Sequence, residues 1–201
     1  KKGYRDRWAL DTGAATRQAA GMDLELADRR FLVGGASRGI GRGIAELLIS
    51  EGAHVLMTSR HVDPLTPLAD SLGERAEPFT ADLGDLEDVD RVVDRAREHF
   101  EDGLDGIVVN HGGPSSGAAL ELTDTQWQEA FALVLGGPIR LVRGLQPQLR
   151  KGSSIVWVTS SSTRVAIPNL DTSNVLRPAI SGQVKTLAAQ LAPTTRVTSI
   201  A

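Results

Sequence analysis

The run Gly34-Gly35-Ala36-Ser37-Arg38-Gly39-Ile40-Gly41 has residue types and a spacing that could do chemistry by themselves. An apolar stretch from Phe31 precedes it and the helical pattern GIAELLISEG follows, so it reads as a strand-to-helix turn. Glycines in such a turn reach backbone angles closed to other residues and let an anion approach the main chain. The helix N-terminus behind them, with free N–H groups and a partial positive charge, suits a pyrophosphate without a side-chain cation. The alternative is an ordinary glycine turn. Its place between a strand and a helix favours dinucleotide binding.

The same segment resembles the TGxxxGIG fingerprint of the short-chain dehydrogenase/reductase family, with Gly34 where the family has Thr. The resemblance runs without a large gap from about Asp23 to Ala201. It implies a cofactor site built from Gly35, Ser37, Arg38, Gly39, Ile40 and Gly41 in the loop, and from the ends of later strands. NAD-preferring folds carry an acid at the end of the second strand to hold the adenosine ribose, but here Thr58-Ser59-Arg60 stands there. With no acid to repel a 2′-phosphate, and with Arg38 and Arg60 able to grip one, NADP(H) is favoured over NAD(H). Both arginines also fit a solvated surface role. Asp82, with Leu83 beside it, matches the family acid that contacts adenine, although an Asp there could instead cap the next helix. Asn110-His111-Gly112-Gly113 resembles the family's NNAG. His111 titrates in a useful range, yet a lone His beside a cofactor loop is read here as structural or adenosine-facing.

Carbonyl reduction by hydride transfer needs a proton donor held at the oxygen and a group that tunes its acidity. The family uses Ser, Tyr and Lys, with an Asn on the preceding helix. Ser160, at the end of Val158-Thr159-Ser160, fits the serine. The usual spacing then reaches Ser173 where Tyr is expected and Arg177 where Lys is expected, and an alignment anchored on Trp127 puts Val134 at the Asn. The downstream runs Ile180-Ser181-Gly182 and Lys185-Thr186-Leu187-Ala188 support that register. An aliphatic alcohol is a far weaker acid than a phenol, so Ser173 is at best a weak donor or relay. Arg177 keeps the charge near the nicotinamide ribose but does not deprotonate, and Val134 offers no hydrogen bond to a relay water. Ile167-Pro168-Asn169-Leu170 with Ser173-Asn174 resembles a variant subgroup of the family in which this imperfect tetrad recurs. The expected function is an NADP(H)-dependent oxidoreductase acting on a carbonyl or alcohol. The alternative is a catalytically impaired NADP(H)-binding sensor or a structural oligomer subunit.

Short apolar runs rich in Val, Ile and Leu must carry these residues. They begin at Phe31, His54, Ala76, Gly106, Ser154 and Arg196, and alternate with helical patterns near 40–51, 64–73, 86–100, 123–149 and 174–192. That alternation predicts a doubly wound parallel α/β sheet, a Rossmann fold in three layers, with every strand-to-helix loop opening on one edge. Gly136, Gly137 and Pro138 should kink or split the long helix near 123–149. Residues 1–21 lack periodicity and read as an N-terminal extension or cloning remnant ahead of Met22. Residues 22–201 form a single NAD(P)-binding domain. The sequence stops at Thr198-Ser199-Ile200-Ala201, where the resemblance implies a Pro-Gly turn, a substrate lid and a last strand to follow.

A chain of 201 residues suits one hydrophobic core. Its net charge of -3, with Lys and Arg dispersed, argues against a nucleic-acid partner. The absence of cysteine rules out disulfides, a thiolate nucleophile and Cys-ligated metal; no metal site is expected. No apolar run reaches the roughly 20 residues that cross a bilayer and the start lacks a hydrophobic signal region, so a cytoplasmic setting fits. The family's helical dimer surface implies a homodimer or homotetramer, with a small molecule as substrate.

Overall fold

The computed structural model describes residues 23–201, so the reading of residues 1–21 lies outside the described residues. Six strands, β1 (Arg30–Val33), β2 (His54–Ser59), β3 (Ala76–Thr80), β4 (Leu104–Val109), β5 (Leu149–Val158) and β6 (Thr195–Ile200), form one sheet in the order β3-β2-β1-β4-β5-β6. Every pairing is parallel. The crossovers are α1 (Gly39–Ser50), α2 (Val62–Leu72), α3 (Leu86–His99), α4 (Asp124–Phe131) continuing into α5 (Gly137–Leu145), and α6 (Asp171–Leu191). The order reverses between β1 and β4, and ligands of such sheets bind at the carboxyl ends of the strands beside that switch point.

Strand side chains alternate between two apolar clusters because successive residues of a strand point to opposite faces. Leu32, Leu56, Ile107, Ile155 and Trp157 pack with Val89 of α3, Leu141 of α5 and Ile180 of α6. Val33, Val55, Met57 and Val108 pack with Ala45 of α1 and Leu65 of α2. This is the predicted three-layer doubly wound architecture. Pro78 lies within β3, which a sheet tolerates because β3 is an edge strand paired only to β2.

Several boundaries differ from the sequence reading. α6 begins at Asp171, earlier than 174, and Leu149, expected to end the long helix, instead opens β5. The expected break at Gly136-Gly137-Pro138 takes the form of a widened turn. Residues Ala132–Gly136 are π-helical, with the Gly137 N–H donating to the Ala132 carbonyl. Pro138 thereby falls in the first turn of α5, where a missing N–H costs little. The axis continues through the insertion, so the helix changes pitch without breaking.

One polar post lies inside the sheet. The β4–β5 register shifts between Leu104 and Gly106, and Asp105 at that point is 6% exposed. Its carboxylate accepts from Arg29 at 2.9 Å, from the Arg30 backbone N–H at 3.0 Å and from Arg150 at 3.4 Å. Charge-assisted bonds of this kind contribute about 1.5–3 kcal/mol each, discounted here because both arginines are half exposed. Asp105→Ala is expected to cost about 2 kcal/mol in urea unfolding at unchanged m-value.

Candidate active site

The glycine loop leaves β1 and is held by a side chain that arrives from β4. Gly35 and Gly39 have φ of 59° and 57°, left-handed values that suit glycine. Asn110 donates through Nδ2 to the Gly34 carbonyl at 3.0 Å, and the Gly34 N–H bonds Val108 O at 3.0 Å. A Cβ at Gly34 would collide with the Asn110 carbonyl oxygen. A Thr at position 34 would therefore not fit this backbone, and Asn110 braces the loop.

A cleft of about 310 Å³ opens at the carboxyl ends of β1, β2 and β4. Every cofactor residue predicted from the sequence lines it except Gly41, which is buried behind the loop. Ser59 Oγ donates to Ser37 Oγ at 2.8 Å, tying the end of β2 to the glycine loop. Arg38 is exposed at the N-terminus of α1, and Arg60 stands 3.8 Å from Asp82, too far for a hydrogen bond. Asp82 Oδ1 accepts from the Gly84 N–H at 2.8 Å, while Asp85 caps α3 through the Glu87 and Asp88 N–H groups. The capping alternative for Asp82 thus belongs to Asp85, and Asp82 remains in the cleft wall. Thr58, His61, Ala81 and Leu133 also line the cleft and were not foreseen. For His61 the signal was its place directly after Arg60.

These features fit a dinucleotide. A left-handed glycine pair fronts a helix N-terminus, a Cβ at Gly39 would meet only open space on the cleft side, and serine and arginine groups gather at the end of β2.

His111 keeps one ring edge in the cleft wall, with Nε2 buried and unpartnered. Its Nδ1 donates to Gly112 O at 2.7 Å, because a carbonyl can only accept. Burial pulls its pKa to about 4 despite that bond, with Arg177 and Arg60 pushing the same way. The imidazole is neutral at pH 7. Since the folded pKa lies below the unfolded value of 6.5, the unfolded chain takes up the proton first. The stability this group contributes is therefore present above pH 6.5 and lost as the pH falls toward 4. We expect His111 to account for about 2 kcal/mol of acid lability over that window, less than full burial would give because part of the ring meets solvent. His111→Asn should flatten the Tm profile between pH 6.5 and 4 and leave it unchanged above pH 7.

Ser160, two residues past the end of β5, opens a short 3-10 turn, Ser161–Thr163, that packs on α6; Ser160, Ser173 and Arg177 are not among the residues that line the cleft. Ser160 Oγ accepts from the Ser162 N–H at 3.1 Å, which leaves its own hydrogen free to donate. Ser173 and Arg177 are each 7% exposed and stand one turn apart on the inward face of α6, in line with Ile180 and Val184. Val134 is fully buried within the π-helical turn. A clasp missed by sequence reasoning joins the loops after β4 and β5. Asn174 bonds both the N–H and the carbonyl of Ile167 at 2.9 Å. Asp171 accepts from the Ala119 N–H at 2.8 Å, and Thr172 donates to Ser115 O at 3.0 Å.

Fold and site together define a nucleotide-binding doubly wound α/β protein. The family described as enoyl-(acyl carrier protein) reductase matches residues 35–201. Nodulation protein G of Rhizobium meliloti (strain 1021) is 32% identical over 170 residues, 84% of this chain and 69% of that protein. Dehydrogenase/reductase SDR family member 4 of Rattus norvegicus is 30% identical over 84% of this chain, which spans only 62% of that relative. L-sorbose reductase from Gluconobacter frateurii, solved with NADPH and L-sorbose, superposes with a TM-score of 0.84 at 33% identity, covering 89% of this chain and 70% of that one. A short chain dehydrogenase from Burkholderia cenocepacia J2315 in complex with NADP gives a TM-score of 0.81 at 30% identity, covering 87% and 73%. The chain belongs to the short-chain dehydrogenase/reductase family, a family of oxidoreductases. No helix among the described residues is long and apolar enough to cross a membrane.

Proposed function

We propose that this chain is an NADP(H)-dependent oxidoreductase acting on the carbonyl or alcohol group of a small molecule. The observation that carries the cofactor choice is the end of β2, where Ser59 and Arg60 stand with no acid and Arg38 lines the same cleft. A 2′-phosphate there meets two guanidinium groups and meets no carboxylate on β2. The L-sorbose reductase and Burkholderia neighbours, solved with NADPH and NADP, support the same choice.

When bound, the nicotinamide supplies or accepts a hydride. Ser160 directs its free hydroxyl hydrogen at the substrate oxygen. Ser173 acts as a weak proton donor or relay, and Arg177 holds positive charge at the nicotinamide end. A homodimer or homotetramer is supported by Phe131 of α4 and Val175 of α6, exposed at 53% and 57% on the helical layer. The second reading, a sensor or structural subunit with impaired catalysis, draws on the Ser173, Arg177 and Val134 replacements.

Titrating the purified protein with NADPH and with NADH, read by nicotinamide fluorescence, tests the proposal. Micromolar NADPH binding at least about tenfold tighter than NADH is expected, with Arg60→Ala erasing most of the difference. Failure to bind either nucleotide would sink both readings.

A further inference from the structure

Among the described residues four buried side-chain atoms have no hydrogen-bond partner, and two of them, Thr58 Oγ1 and His111 Nε2, belong to residues that line the cofactor cleft. A buried polar atom left unpaired bears its full desolvation cost, so two of them in one cleft point to polar groups on what the cleft binds. The Thr58 hydroxyl donates or accepts and so does not discriminate. His111 does, because its hydrogen-bonding sense is fixed. Nδ1 must carry the ring proton, since its partner at 2.7 Å is the Gly112 carbonyl oxygen, which only accepts. In the neutral ring Nε2 is then a lone-pair acceptor and needs a donor. A phosphate group, which only accepts, is excluded as its partner.

The other residues of the cleft narrow the donor. Ala81, Leu83 and Leu133 give it an apolar wall, while Ser37, Ser59 and the two arginines gather at the glycine loop and the end of β2. A flat base suits the first group and a sugar phosphate the second. Asp82 is a second acceptor in the cleft, close enough for its charge to act on the His111 ring. Its Oδ1 accepts from the Gly84 N–H at 2.8 Å, and its Oδ2 lies 3.8 Å from Arg60, beyond hydrogen-bond reach. Two acceptors, a carboxylate oxygen and an imidazole nitrogen, match a group that offers two hydrogens, the exocyclic amine of a base.

We propose that His111 is a base-reading residue of the cofactor site: its Nε2 accepts one hydrogen of the adenine amine and Asp82 the other, so the cleft selects an amino base over an oxo base. This rests on the NADP(H) reading above and adds to it a second determinant, separate from the 2′-phosphate. The family resemblance gives the adenine contact to Asp82 alone, and histidine at position 111 is this chain's departure from the family's Asn. An oxo base sets a carbonyl oxygen against both acceptors, which leaves Nε2 unpaired and brings like partial charges together.

NADPH and its deaminated analogue, in which hypoxanthine replaces adenine, are the probes, titrated separately and read by nicotinamide fluorescence and by the shift in Tm. The parent is expected to bind NADPH about thirtyfold tighter than the analogue, the effect of one amine lost from two acceptors. His111→Phe, which keeps a ring and removes the acceptor, should cut that ratio to about fivefold, and adding Asp82→Ala should bring it to about one. His111→Gln, whose amide reaches the Nε2 position, should keep most of the preference, so a loss in the phenylalanine variant reads as a lost acceptor and not a lost fold. His111→Phe should also leave the NADPH-to-NADH ratio at its parental value, because Arg38 and Arg60 set that ratio. Equal affinity of the parent for NADPH and the analogue would overturn the proposal and leave the cofactor reading standing. An undiminished ratio in His111→Phe would give the base to Asp82 alone and overturn it too, as would a parallel collapse of the NADPH-to-NADH ratio, the mark of a displaced loop. Binding of no nucleotide at all would remove the cofactor reading and this inference with it.

Discussion

Gly41→Ala is expected to weaken NADPH binding by at least about a hundredfold. A Cβ at this position collides with the carbonyl oxygen of Gly35 and comes within 2.7 Å of Asn110 Nδ2, the atom that braces the loop. The first obstacle is backbone and cannot rotate away. Relief would require the glycine turn to lift off the start of α1, which moves the main-chain N–H groups from the phosphate position. A displacement near 1 Å at preorganised donors costs that much affinity. Gly39→Ala is the control, because its Cβ meets nothing within 4 Å. That variant carries only the strain of an alanine at φ 57°, roughly 1–2 kcal/mol. Both variants should thus lose Tm, Gly41→Ala by more because its backbone clash adds to the cost, and any binding lost in Gly39→Ala comes from its methyl filling space in the cleft and not from a displaced loop. Nicotinamide fluorescence with thermal unfolding reads both, and NADPH affinities within threefold of the parent for Gly41→Ala would remove the loop from the cofactor site.

The larger effect on rate belongs to Ser173→Tyr combined with Arg177→Lys. A positioned general acid contributes about 10² to 10⁴ in rate, and a phenol beside an ammonium is a far better acid than a serine hydroxyl. Ser173 and Arg177 are one turn apart on the same face of α6, so the pair can cooperate without moving the helix. NADPH oxidation over a panel of aldehydes, ketones and oxo acids should rise by about 10² or more on at least one compound. An unchanged rate on every compound, with NADPH still bound, would favour the sensor reading.

Some of this was written locally in the chain. The glycine spacing, the apolar strand runs and the absent acid at the end of β2 depend on neighbours in sequence, and the cleft contains all but one of the residues they nominate. What escaped was set by distance along the chain. Asn110 braces a loop 76 residues away, and Asp85 and Asp82 divide capping and cleft lining by orientation alone, which no spacing encodes. The break expected at Pro138 became a π-helical turn because the ring needs only one missing donor accommodated, and a wider turn upstream does that more cheaply than a kink. The clasp around Asn174 could not be read before the loops had been brought together.

That clasp has a consequence for anyone redesigning the pocket. The loop after β4 is bonded to the start of α6 through Asp171 and Thr172, and the loop after β5 through Asn174. Specificity transplants that swap one loop at a time should therefore fail more often than paired grafts, because a foreign segment inherits a socket cut for its former neighbour. Selectivity in this scaffold is modular at the level of two loops and a helix start, and libraries should be diversified across that unit as a single cassette.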